Sequence, residues 1–177
     1  MPISFEFRPE KFASAVAYLA ERIPNLTKKQ ICKLLFYADK EHLLRYGRTI
    51  TGDKYHALPK GHIPTKGLDV MNGRERRVGA KAIAALQKYG RLNGWVFELH
   101  HPPDLKVFSK TDRMVLNDIV GRLGHLSADE LEELSHKEPS WVQTPRNQAI
   151  PFELFFEGHP EAEHIKEALS EDPFVAA

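Results

Sequence analysis

The chain has one cysteine, Cys32, in 177 residues. An internal disulfide is thereby excluded, and with it the disulfide-stapled class of secreted folds. Cys32 falls mid-helix on an apolar face, where a thiol is expected to be a small buried filler and not a nucleophile. No uncharged run approaches the roughly 20 residues needed to span a bilayer, so no membrane role is expected. The N-terminal MPISFEFRPEK brings charges early and has no apolar segment of its own, which predicts no secretion signal and a cytoplasmic location. An excess of one charge sign is also missing. The net charge of +1 gives no general bias toward nucleic acid or a membrane surface. There is no glycine-rich phosphate loop and no nucleophile elbow. The nine histidines follow no known zinc-ligand spacing, and His100 and His101 lie in an expected strand that throws neighbouring side chains to opposite faces. No catalytic residue, metal or cofactor is therefore expected.

What is present fits one soluble domain over 1–177. An apolar content of 42% at this length is enough for a sizeable core and argues against disorder over most of the chain. The most informative stretch runs from Leu26 to Pro64. Thr27-Lys-Lys-Gln30 reads as a capping box, flanked by Leu26 and Ile31 as a hydrophobic staple. Gly47 follows as a left-handed stop. Between them Ile31, Leu34, Leu35 and Ala38 recur at helical spacing, widened by Cys32, Phe36 and Leu43. The remaining face carries Lys29, Lys33, Tyr37 and Lys40 and is expected to be wet. Asp39 and His42 interrupt the apolar arc. Three residues apart, they can touch, either as a satisfied internal pair that fixes how the helix docks or, with Tyr46, as the lining of a cleft.

From Arg48 the period changes to turn chemistry around short extended segments. Pro59 to Pro64 is expected to be a loop, with Pro64 ready to start another helix. Upstream, Pro9 opens a helix with Phe12, Val16, Leu19 and Ile23 on one face, and its short link to the central helix favours an antiparallel pair. Thr65 to Met71 suggests a weak helix. Arg74 begins a basic segment running to Arg91, with Val78, Ala82, Ala85, Leu86 and Tyr89 on one helical face and Gly90 as its stop. It reads as a solvated surface in preference to a nucleic-acid footprint, and it could steer an acidic partner. Gly94 to His100 and Leu105 to Phe108 read as two strands, forming a small sheet with Tyr55 to Leu58. Ser109 caps a helix carrying Met114, Leu116, Ile119, Val120 and Leu123. Ser127-Ala-Asp-Glu130 is a second capping box, and Pro139 closes the helix it opens. Two short helices follow in an acidic tail of about 150–172, with Phe152, Leu154, Phe155 and Phe156 as an apolar knot for the core or a partner. The expected fold is mainly α with a small antiparallel β element (α+β), built around a central buried helix at about 27–46.

Two blocks carry a family resemblance. In KLLFYAD followed by GRTITGDKYHALPKGHIP, the residues Leu34, Leu35, Gly47, Arg48, Gly52, Tyr55, Ala57, Gly61 and Pro64 match the pattern of the Panacea (SocA-type) antitoxin domain. His62 stands where that family usually has a proline. Leu134-Ser-His-Lys-Glu-Pro-Ser-Trp141 is similar to the family's second signature, with Ser140 inserted between Pro139 and Trp141. In outline the resemblance covers about 12–141.

The resemblance implies an antitoxin that holds a cognate toxin protein, encoded nearby, in an inactive complex within a type II system, without making or breaking bonds. Tyr55, Lys60, Gly61 and His62 are then the candidate contact residues, because recognition tends to sit on loops of a rigid scaffold. Leu34, Leu35, Asp39, His42, Gly47, Arg48, Gly52, Pro64, His136, Glu138 and Trp141 are assigned to the motif scaffold. The alternative is a small-ligand or metal-binding domain, or a hydrolase, using the Asp39, His42 and His62 region. The sequence leaves a homodimer open.

Overall fold

The computed structural model describes residues 2–171. The order is α1 (Pro9–Arg22), α2 (Lys28–Tyr46), β1 (Tyr55–Leu58), β2 (Gly61–Pro64), α3 (Thr65–Met71), α4 (Glu75–Val78) and α5 (Ala80–Gln87). It continues with β3 (Gly90–Asn93), β4 (Val96–Leu99), α6 (Lys110–Leu123), α7 (Ala128–His136), α8 (Pro139–Gln143) and α9 (Ala162–Glu171). Two 3-10 turns, Leu105–Val107 and Phe152–Phe156, complete it. The fold is α+β and mainly helical.

The central helix forms where its caps put it. Thr27 Oγ1 accepts from the Gln30 amide at 3.2 Å, and Gln30 Oε1 accepts from the Thr27 amide at 2.8 Å. At the other end Gly47 takes the left-handed conformation (φ 76°). Ile31, Leu34, Leu35, Phe36, Ala38 and Leu43 are buried, as their spacing predicts. The expected wet face is only partly wet. Lys33 and Tyr37 are buried too, because β2 and α7 pack across that side of α2 while α6 packs on another.

Helix α1 buries Phe12, Val16 and Leu19, but it packs chiefly on α5 and α6 and only slightly on α2. The expected α1–α2 pair is therefore not the main contact.

The strands form two separate antiparallel hairpins, not one sheet. Leu58 pairs with Gly61 across a two-residue turn, Pro59-Lys60, so the expected loop at 59–64 is largely strand. Asn93 pairs with Val96 across Gly94-Trp95, so the partner of β4 lies upstream of it, while Leu105–Val107 is a 3-10 turn. Gly90, expected as a helix stop, is the first residue of β3. The basic segment is broken at Gly79 (φ 84°) into α4 and α5. Pro139 opens α8 and so places Trp141 on a helix. On α6 Leu116 and Ile119 face inward as expected, joined by Val115 in place of Met114, which is exposed.

Each hairpin is tied to its surroundings through the backbone. The Lys28 amide donates to the Trp95 carbonyl at 2.7 Å, and the Phe97 amide donates to the Leu26 carbonyl at 2.8 Å. This binds the β3–β4 hairpin to the start of α2. Segment 147–150 runs beside β1, with the Ile150 amide donating to the Tyr55 carbonyl at 2.8 Å. Phe152, Phe155 and Phe156 of the aromatic knot are buried in the common core, where Phe155 meets Phe36 edge-on. Asp172, the last residue of the expected acidic tail, lies outside the described residues.

Candidate functional site

Three buried polar clusters line α2. Asp39 accepts from the amides of Ile50 (2.8 Å) and Thr51 (2.9 Å), from the Thr51 hydroxyl, and from the Tyr55 phenol (2.7 Å). Burial pushes its carboxyl above the usual range, against the pull of these donors. The residue thus folds the 50–55 segment onto the helix, and Tyr55 is wholly buried in that role.

His42 is spent differently. Its Nδ1 lies 2.7 Å from the Arg48 carbonyl, and its Nε2 lies 3.0 Å from the Thr111 hydroxyl and 3.2 Å from Asp112 Oδ1. A carbonyl opposite Nδ1 can only accept, so Nδ1 carries the proton. Burial lowers the imidazole pKa. Asp112 also takes the Arg48 guanidinium at 2.9 Å and the Lys11 ammonium at 2.6 Å. Burial alone would raise its carboxyl, but Lys11, the Ser109 amide and Arg48 hold it below the usual range. This cluster joins α1, the end of α2 and the start of α6. Asp39 and His42 bond to different partners and not to each other, so of the two readings the internal Asp39–His42 pair is not formed.

His62, wholly buried on β2, lies flat on Phe36 with ring centroids 3.5 Å apart. Its Nδ1 is 2.6 Å from the Ser135 hydroxyl and its Nε2 is 2.8 Å from the Ser140 hydroxyl. Burial pushes its pKa down to about 2. The two departures from the Panacea pattern therefore touch: the residue replacing a proline is held by the serine that splits Pro139 from Trp141. Beside them Lys33 donates to the His62 carbonyl at 2.9 Å.

The remaining scaffold residues close the same region. Trp141 Nε1 donates to the Leu58 carbonyl at 2.8 Å, and His136 Nε2 lies 2.9 Å from the Pro59 carbonyl. The two rings pack 4.3 Å apart. Glu138 pairs with Lys40 at 2.5 Å. Together α7 and α8 clamp the first hairpin through its backbone. Leu34 and Leu35 are core. Pro64 ends β2 at the start of α3, and Gly52 (φ 73°) lies under the N-terminal segment. Among the described residues no three His, Cys, Asp or Glu side chains are grouped to hold a metal ion.

Of the four candidate contact residues, Tyr55, Gly61 and His62 are buried, and only Lys60 is exposed. The open concavity next to it is a cavity of about 380 Å³ between the two hairpin tips and the start of α2. Cys32, Ile63 and Leu68 contribute to its apolar wall, Lys28, Lys29 and Lys60 edge it, and Trp95 stands beside it, 70% exposed. Burial pushes the Cys32 thiol up to about 11, which makes it inert here. The Lys28 ammonium lies 5.0 Å from the Trp95 ring centroid and donates to Asn72 at 3.0 Å. Lys29 is bound to Asp129 at 2.9 Å and to Glu132. Sequence reasoning named Lys60 but missed Trp95, whose signal was a large aromatic in a glycine turn that no core needs.

Comparison with known families adds one match. The profile described as Antitoxin SocA-like, Panacea domain, fits residues 31–142, more than half of the chain. No curated protein and no solved structure matches it.

Proposed function

The chain belongs to the SocA-like Panacea antitoxin domain family, and from that membership we propose that it neutralises a toxin protein by direct binding, as the antitoxin of a type II pair encoded side by side. The observation that carries this reading is the family match itself. The arrangement of polar groups agrees with it. The Asp39, His42 and His62 side chains each spend their hydrogen bonds on neighbours within the fold, and they have no hydrogen-bond partner in common. Catalysis needs such groups to converge on a reachable point. Binding needs a firm scaffold and an accessible surface.

On this reading the domain works by occlusion. A rigid helical body covers a toxin's active site or substrate path, and no bond is made or broken. The test is to express the product of the adjacent open reading frame alone and together with this chain. Growth arrest alone, rescue on co-expression and a copurifying complex are the expected results. A harmless neighbour that leaves no complex on the column would remove the reading.

A further inference from the structure

Ile63 on β2 and Leu68 on α3 border two concavities at once. One is the cavity of about 380 Å³ edged by Lys28, Lys29, Lys60 and Trp95; the other is a cavity of about 180 Å³ edged by Arg74 and Arg77. The shared side chains set the two side by side, and together, here called the trough, they lie between the hairpin tips and α4. The shared wall is aliphatic, and cationic side chains edge both parts, with Asp69 beside the two arginines.

Two features point to an occupant. First, Trp95 is held out in solvent at a tight turn whose backbone is anchored to the start of α2 by the 2.7 Å bond from Lys28. A large aromatic on a pre-ordered backbone is the kind of anchor that dominates protein interfaces. Second, the edge charges do not cancel. Lys29 is matched by Asp129 and Glu132, and Asp69 is shared by Arg74 (2.8 Å) and Arg77 (3.5 Å). Lys28 and Lys60 have no carboxylate partner among the described residues. A rim with a cationic excess beside an apolar wall favours a ligand that is apolar on one side and acidic on its flanks.

We propose, resting on the toxin-binding reading above, that this trough receives an amphipathic segment of the partner protein. Its apolar side chains seat on Ile63, Leu68 and Trp95, and its carboxylates meet Lys28, Lys60 and the Arg74–Arg77 pair. A nucleic acid fits less well. It would need flat aromatic platforms along the shared wall for its bases, and that wall offers aliphatic side chains.

The test uses the full chain and the purified adjacent gene product, with affinity measured by calorimetry. Trp95→Ala should raise Kd at least about tenfold, and Lys60→Glu roughly fivefold or more with a shallower salt dependence. Arg113→Glu, a matched charge reversal on α6 outside the trough, should leave Kd unchanged. Circular dichroism and urea unfolding check that all three variants keep the fold. If the wild type binds and the trough variants bind equally well, the trough is wrong and the toxin-binding reading stands. If the wild type does not bind, both fall. A labelled single-stranded oligonucleotide is tested in parallel. Binding lost in Trp95→Ala, with partner affinity intact, would assign the trough to nucleic acid and overturn the proposal.

Discussion

Lys33 carries its whole side chain into the interior and finds one acceptor there, the His62 carbonyl. Burial lowers its pKa from 10.5 to about 8. Between those two values the unfolded chain binds a proton that the folded chain has released, so this residue makes stability rise with pH across that window. Below pH 8 its charge opposes folding by about 3 kcal/mol. Lys33→Met should therefore flatten the rise of urea-unfolding stability between pH 8 and 10.5 relative to wild type. A parallel profile for the two proteins would disprove it. His62 acts at the other end of the scale. Its folded pKa of about 2 lies far below the ordinary 6.5, so below pH 6.5 only the unfolded chain takes up the proton. Stability should fall by about 1.4 kcal/mol per pH unit from this residue alone. His62→Ala is expected to lose about 2–4 kcal/mol near neutrality, from the cavity and the unpaired Ser135 and Ser140 hydroxyls. It should also show a shallower acid limb in the same unfolding assay. Neither behaviour was legible in the sequence. A helical wheel places Lys33 correctly on α2 but cannot know that β2 and α7 cover that side, and serines 73 and 78 residues downstream of a histidine leave no local trace.

The two capping boxes read from local chemistry stand where they were expected. Both are formed, Thr27 with Gln30 and Ser127 with Glu130, and the cap expected at Ser109 is itself a full box closed by Asp112. Caps are satisfied within four residues, so sequence carries them completely. The hairpins are harder to read. Gly61 and Pro64 disguise β2 as a loop, and four-residue strands give alternation too little length to register. Gly52 shows how tightly one turn is held. A Cβ there would lie 1.8 Å from the Glu6 carbonyl oxygen, and the residue already has φ of 73°. The N-terminal segment crosses at that point, with the Arg8 amide donating to the Thr51 carbonyl at 2.8 Å. Gly52→Ala is expected to cost of order 2–4 kcal/mol, combining backbone strain with displacement of that segment. Chemical unfolding measures it, and a loss within error of zero would contradict the close approach.

At the scale of the molecule, the sequence carries the fold class and the central helix, because both follow from period and caps. The candidate surface is another matter. Its apolar walls come from α2, β2 and α3, with Trp95 added by the second hairpin, and only folding brings them together. Of its members, Lys60 alone was singled out as a contact in the sequence. The pairing of His62 with Ser140 gives the two departures from the Panacea pattern a common cause, since each supplies what the other's polar atom lacks. The matched stretch itself begins at residue 31, inside α2, and leaves out α1. Yet Phe12, Val16 and Leu19 of α1 are among the least exposed side chains of the protein, and Lys11 is tied to Asp112 on α6. A recombinant piece trimmed to the family's boundaries would shear off the capping box of the central helix and strip a wall from the interior. Homology limits and folding limits thus diverge here, and a library or fusion designed around this protein should be cut to the second.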